Sequence, residues 1–189
     1  MLDYILDDFT QSRVTFGDDS IGGMVICDSA EQARELHRHF QDIVQGQGGL
    51  DVGEPANDAR YRNVAENPPR YGNQPLTAAL ILHDEGSKQS REDAIRAYKR
   101  GEIDLLFVYN MLLTGFDAPR LKKLYFGRVI KDHNLLQALT RVNRRYRKFH
   151  FGYVVDFADI RKEFDKANRD YYDELTAELG DEIEHYIHL

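Results

Sequence analysis

One cysteine and no long apolar run stand among the 189 residues, and each scarcity excludes something. A single thiol, Cys27, cannot close an internal disulfide, so neither a disulfide scaffold nor a Cys-built zinc module fits the chain, and nothing demands an oxidising compartment. Purely apolar runs end after about five residues, as from Ala78 to Leu82, far below the ~18 that span a bilayer. No membrane is expected as a partner. The opening Met1-Leu2-Asp3-Tyr4 lacks the basic-then-apolar plan of a secretory signal, so the expected location is cytoplasmic. No repeat is visible at the periods of solenoids or propellers. What remains is an ordinary globular composition, long enough for one domain with a real core and an appended segment.

The net charge is −7, but its distribution is uneven. Between Arg120 and Lys148 stand ten basic residues and one acid, Asp132, so that window carries +9 in an acidic chain. A charge run is often only a solvated face. Gathering so much positive charge also costs self-repulsion that a polyanion relieves, which makes the window a candidate phosphate-facing surface.

Hydrophobic patterning divides the chain. Leu2 to Phe9 reads as a short helix within a lead-in over residues 1–20. Met24 to Cys27 reads as a buried strand, and Asp28-Ser29 offers an N-cap for a helix from Ala30 to Gln45. Residues 46–75 hold four of the five prolines and five glycines, the composition of an inserted surface loop. Thr77–Leu82, Ile103–Tyr109, Leu121–Phe126 and Gly152–Phe157 read as strands. Ser90–Arg100, closed by Gly101, and Asn134–Arg145 read as helices. A polar, acidic helical extension is expected over 159–189. Continuous apolar strands alternating with helices imply a three-layer α/β sandwich with a mainly parallel sheet over residues 21–158. Ligands of such sheets gather beyond the carboxyl ends of the strands.

Two strings carry the most chemistry. After the strand at 103–109 comes Leu112-Leu113-Thr114-Gly115-Phe116-Asp117-Ala118-Pro119. It holds a glycine permitting positive φ or close approach, a hydroxyl and a carboxylate. Then follows Leu136-Gln137-Ala138-Leu139-Thr140-Arg141-Val142-Asn143-Arg144. On a helix Gln137, Arg141 and Arg144 share one face, and two like charges held together there favour a phosphate chain between them.

These strings resemble the fifth and sixth motifs of superfamily 2 helicases, and Gly22–Ser29 resembles the fourth. More closely they resemble the motor (R) subunit of type I restriction enzymes over roughly residues 20–160. The resemblance implies a RecA-like second motor domain, a P-loop NTPase-like fold. By the same resemblance Arg144 is the arginine finger on ATP and Arg141 its support, with Gln137, Gly115 and Asp117 at the nucleotide and Thr114 on a DNA phosphate. Ser29, at a helix N-terminus, is a further candidate for such a contact. The implied cofactors are ATP and Mg2+. The implied partners are double-stranded DNA, the first RecA-like domain of the same subunit, and the modification and specificity subunits.

Ala79 to Glu85 looks like a magnesium-binding strand ending in Asp84-Glu85, but no Gly-Lys pair of a phosphate loop occurs anywhere in the chain. No metal site is therefore assigned. His37 with His39 and His185 with His188 lack a completing ligand. With no phosphate loop, magnesium carboxylates or nuclease signature, the chain reads as part of a larger subunit, an ATP-dependent type I deoxyribonuclease, and as inactive alone. The alternative is a non-catalytic RecA-like binding or assembly module.

Overall fold

A computed structural model describes residues 1–45, 70–71, 74–113 and 115–179. The elements are α1 (Leu2–Phe16), β1 (Gly22–Ile26), α2 (Ala30–Gln45), β2 (Arg70–Tyr71), β3 (Gln74–Pro75) and β4 (Ala78–Ile81). They continue with α3 (Lys88–Arg100), β5 (Leu105–Val108), β6 (Leu121–Phe126), α4 (Asp132–Val142), β7 (Tyr153–Asp156) and α5 (Arg161–Leu179). Five parallel strands lie in the order β4-β5-β1-β6-β7. β2 and β3 pair separately as a two-residue antiparallel ladder within the proline-rich segment. The rest of the expected loop, 46–69 and 72–73, lies outside the described residues, as do His185 and His188.

Strand alternation builds the two outer layers. Val25, Cys27, Leu105, Phe107 and Tyr125 face one side, where Ile5, Leu6 and Phe9 of α1 and Ala33 and Phe40 of α2 cover them. Met24, Ile26, Leu106, Val108, Leu124 and Phe126 face the other, under Tyr98 of α3 and Leu135, Ala138 and Val142 of α4. The central strands β5, β1 and β6 are buried along their whole length, while the edge strands β4 and β7 are partly open. This is the expected three-layer sandwich. At β1 the close approach is specific: a Cβ on Gly22 would lie 2.4 Å from the hydroxyl of the fully buried Tyr98. Among the described residues no helix is long and apolar enough to cross a membrane.

Three expectations change. The first helix does not stop at Phe9 but continues to Phe16, because Arg13 turns inward and donates to the Ile21 carbonyl at 2.8 Å and to the Asp104 carboxylate. Helix α4 ends at Val142, three residues earlier than expected. The basic window is not one phosphate-facing surface, since Arg120, Lys122 and Lys123 are buried. Arg120 donates to the carbonyls of Ser20 (2.8 Å) and Tyr98 (2.6 Å), and Lys123 pairs with Asp8 at 2.6 Å. These charges hold elements together, as a buried charge must when it has to be paired.

Candidate functional site

The segment from Tyr109 to Arg120 leaves the carboxyl end of β5 and returns to the start of β6. Its apolar residues Leu113, Phe116 and Ala118 are buried in the core under α3 and α4, whereas Gly115 and Asp117 are exposed. The alternation fixes the loop while presenting its polar positions outward. Leu112 (φ 65°) and Gly115 (φ 68°) both adopt the left-handed region. For Gly115 this is free of cost, and no atom lies within 4 Å of where a Cβ would stand. For Leu112 it costs of order 1–3 kcal/mol, the kind of local strain that collects at binding loops. Arg128, just past β6, pins the start of the loop: it donates to Asn110 Oδ1 at 2.7 Å and to the Tyr109 carbonyl at 3.2 Å.

Helix α4 returns antiparallel to β6 and brings its last turn against this loop. Arg141 Nε donates to the Phe116 carbonyl at 3.0 Å, and its Nη1 to the Gln137 carbonyl at 2.5 Å. Arg144 does not lie on the helix. Asn143 is the C-cap, so Arg144 projects from the turn beyond it, where its Nη1 pairs with the Asp117 carboxylate. The shared helical face expected for Gln137, Arg141 and Arg144 is corrected in that respect; Arg141 and Arg144 still meet at Phe116-Asp117, while Gln137 stands one turn back on α4, its carbonyl accepting from Arg141. Burial pushes the Arg141 guanidinium below its ordinary range, and neighbouring Arg144 pushes it further, against Asp117. The two guanidiniums therefore do repel, as their spacing implied.

The Arg144–Asp117 pair is open to water, with side-chain exposures of 49% and 60%. An ion pair that exposed contributes only about 0–1 kcal/mol, so either partner can exchange it for a stronger ligand.

The remaining candidates separate. Ser29 caps α2, its Oγ accepting from the Gln32 amide at 3.0 Å, while Gln32 Oε1 accepts from the Asp28 amide at 2.7 Å. It stands at the carboxyl edge of the sheet. The arginine cluster lies toward the opposite edge, where Lys122 near the start of β6 meets the end of α4. The expectation that all the chemistry gathers at the carboxyl edge is therefore corrected. Thr114 lies outside the described residues. Asp84 and Glu85 both pair with Arg34 of α2, at 2.8 and 3.1 Å, as an exposed surface cluster. His37 is half-buried beside Phe107, and burial lowers its pKa. Cys27 is buried in the core, and burial pushes its thiol up to about 12, so it is no nucleophile. Among the described residues no group of three or more His, Cys, Asp or Glu side chains could hold a metal.

Sequence reasoning missed Arg128 and Lys122. The one available signal was a pair of lysines inside a strand that otherwise reads as buried, Leu121–Phe126.

Comparisons with known proteins bear on the family resemblance and the fold. Residues 82–159, which include the whole arginine cluster, match the family described as T1R_D3-like, type I restriction enzyme subunit R domain 3. The chain is 41% identical over 75 residues to the type I restriction enzyme SauCOLORF180P endonuclease subunit of Staphylococcus aureus, covering 39% of this chain and 8% of that protein. It is 36% identical over 90 residues to the HindI endonuclease subunit of Haemophilus influenzae, covering 45% and 8%. The chain thus spans under a tenth of the length of these relatives. In fold it is similar to domain 2 of the DEAD-box helicase Mss116p, solved bound to an RNA duplex. The TM-score is 0.53 at 12% identity, over 88% of this chain and 55% of that one.

Proposed function

We propose that the chain is the second motor domain of an ATP-dependent double-stranded DNA translocase within a longer R subunit, a reading supported by its similarity over residues 82–159 to type I restriction enzyme subunit R domain 3 and by the likeness of its fold to a helicase domain 2. The observation that carries this reading is the exposed Arg144 beside Arg141, held only by an exposed pair with Asp117.

ATP fits this donor set, because two guanidinium forks match phosphate oxygens, and Asp117 and Gln137 supply acceptors for sugar hydroxyls. Arg144 is the arginine finger and Arg141 its support, and Gly115 lets the loop backbone approach the nucleotide. An arginine finger is worth on the order of 10³- to 10⁵-fold in rate, or about 4–7 kcal/mol at ~1.4 kcal/mol per decade. That contribution is made in the transition state and exceeds the ~0–1 kcal/mol of an exposed ion pair, so releasing Asp117 is a small cost against what Arg144 contributes on the transferring phosphoryl group. ATP supplies the γ-phosphoryl group whose cleavage drives movement. Magnesium and the phosphate loop are assigned to the first motor domain of the same subunit, because no Gly-Lys pair occurs in this sequence. Thr114 and the N-terminus of α2 at Ser29 are assigned to DNA phosphates; the Ser29 hydroxyl accepts in its cap and still has its proton to donate. The complete assembly, a cytoplasmic type I restriction endonuclease, adds the modification and specificity subunits.

The test is Arg144→Ala in the complete R subunit. DNA-stimulated ATP hydrolysis should be lost while nucleotide binding is retained. The competing reading, a non-catalytic assembly module, draws on the fact that Arg144 already has a carboxylate partner in its own domain. Turnover at the wild-type rate in that variant would favour it.

A further inference from the structure

The least explained charge in the domain is Lys122. It is the second residue of β6, it is 0% exposed, and among the described residues no carboxylate pairs with it. Its ammonium donates instead to two backbone carbonyls, Val142 at 3.1 Å and Arg144. Burial pushes its pKa below the ordinary lysine range. An unpaired buried ammonium costs several kcal/mol, so the site needs a compensating field. The carbonyls at the C-terminus of a helix provide one, since they have no intrahelical donors and carry the negative end of the helix dipole.

The two carbonyls flank Asn143, the residue where α4 stops. Asn143 is itself held from the other side, its Oδ1 accepting from the Gly152 amide at 3.3 Å. Gly152 sits so close that a Cβ there would lie 2.4 Å from the Val142 carbonyl oxygen. The turn at 142–144 is thus clamped between β6 and the approach to β7. Arg144 leaves the backbone from the middle of that clamp, and its guanidinium reaches Asp117.

We propose that Lys122 is a positioning residue for the arginine finger: by binding the carbonyls of Val142 and Arg144 it ends α4 at Val142 and fixes the point from which Arg144 reaches the nucleotide. The inference rests on the motor reading given above. A helix continued for one more residue rotates the next side chain by about 100° at 3.6 residues per turn. Without the clamp Arg144 would leave the backbone in a different direction.

The experiment is a double-mutant cycle in the complete R subunit. It uses wild type, Lys122→Met, Arg144→Ala and the combination, read by single-turnover cleavage of radiolabelled ATP on DNA, which follows residual rates. Misplacement of a reacting group by ~1 Å costs about 10²-fold, so Lys122→Met should slow cleavage by roughly that factor, with nucleotide affinity unchanged. In the Arg144→Ala background the same substitution should cost nothing further. An equal loss in both backgrounds would mean that Lys122 serves only the fold, and an unchanged rate in Lys122→Met alone would also overturn the proposal. If Arg144→Ala itself cleaves at the wild-type rate, the motor reading fails first and the role of Lys122 with it. Should the methionine variant not accumulate, Lys122→Leu, which likewise removes the donor, enters the same cycle with the same criteria.

Discussion

Single residues decide how the sheet is tied to its helices, and the most heavily used is Asp104. Its carboxylate pairs with Arg13 of α1, accepts from the Thr77 amide at 2.9 Å and from the Thr77 hydroxyl at 3.0 Å, and lies 3.8 Å from Arg120. Both arginines are almost wholly buried. Removing the carboxylate strands two buried cations, which costs about 3–5 kcal/mol in comparable cases. Asp104→Ala should therefore lower the urea midpoint by that equivalent, with little change in the slope of the transition. A loss below about 1 kcal/mol, the worth of an exposed pair, would contradict the role given to it. None of this was legible from the chain, where Asp104 is one acid near the start of an apolar run and its partners stand 91, 27 and 16 positions away. The core role of Cys27 was legible, because a lone cysteine inside the apolar run Met24–Cys27 reads more readily as a small buried hydrophobe than as a nucleophile.

Elements were legible where their boundaries are set by local chemistry. Ser29 caps α2 and Gly101 ends α3 in the left-handed conformation, as their residue types imply. The end of α4 was not legible. No glycine or proline stands between Gln137 and Arg145; the stop comes from Lys122, 20 residues upstream. The continuation of α1 past Phe9 was hidden for the same reason, since Arg13 looks like a surface residue until Asp104 is beside it. A further contact between elements makes a pH prediction. Asp18, after α1, meets Arg147 at 3.3 Å in the tight turn bridged by Tyr146 and Phe149. Burial raises its pKa, but hydrogen bonds from the Ser20 side chain and amide, with Arg147 and Lys148 nearby, outweigh burial and hold it below its usual 3.8. A depressed carboxylate contributes stability that is complete above its unfolded value and lost as pH falls through its folded one. Asp18→Asn should thus be less stable than wild type near neutrality, and the two urea midpoints should converge as pH drops below about 3.8. A gap that stays constant through the acid range would contradict this account of the turn.

At the scale of the whole molecule, the three-layer sandwich could be read directly, because strands buried on both faces leave continuous apolar runs and helices leave 3.6-residue periodicity. Charge could not be read the same way. Ten basic residues crowded between Arg120 and Lys148 looked like one surface, yet closeness along the chain is not closeness in space. Three are buried as braces, and two of the rest, Arg141 and Arg144, converge on Phe116 and Asp117. That Arg141 and Arg144 stand close was legible because only three positions separate them; their directions and their place relative to the sheet edge were not, since both depend on where α4 ends. The central claim is that Arg144 acts as a fork on transferring phosphate and not merely as a positive charge. The most direct measurement is the single-turnover rate of ATP cleavage on DNA by the complete R subunit carrying Arg144→Lys. Lysine keeps the charge and loses the planar fork, so cleavage should slow by roughly 10²-fold or more, a sizeable part of the 10³- to 10⁵-fold worth of an arginine finger, with nucleotide affinity nearly unchanged. Cleavage at the wild-type rate would contradict it.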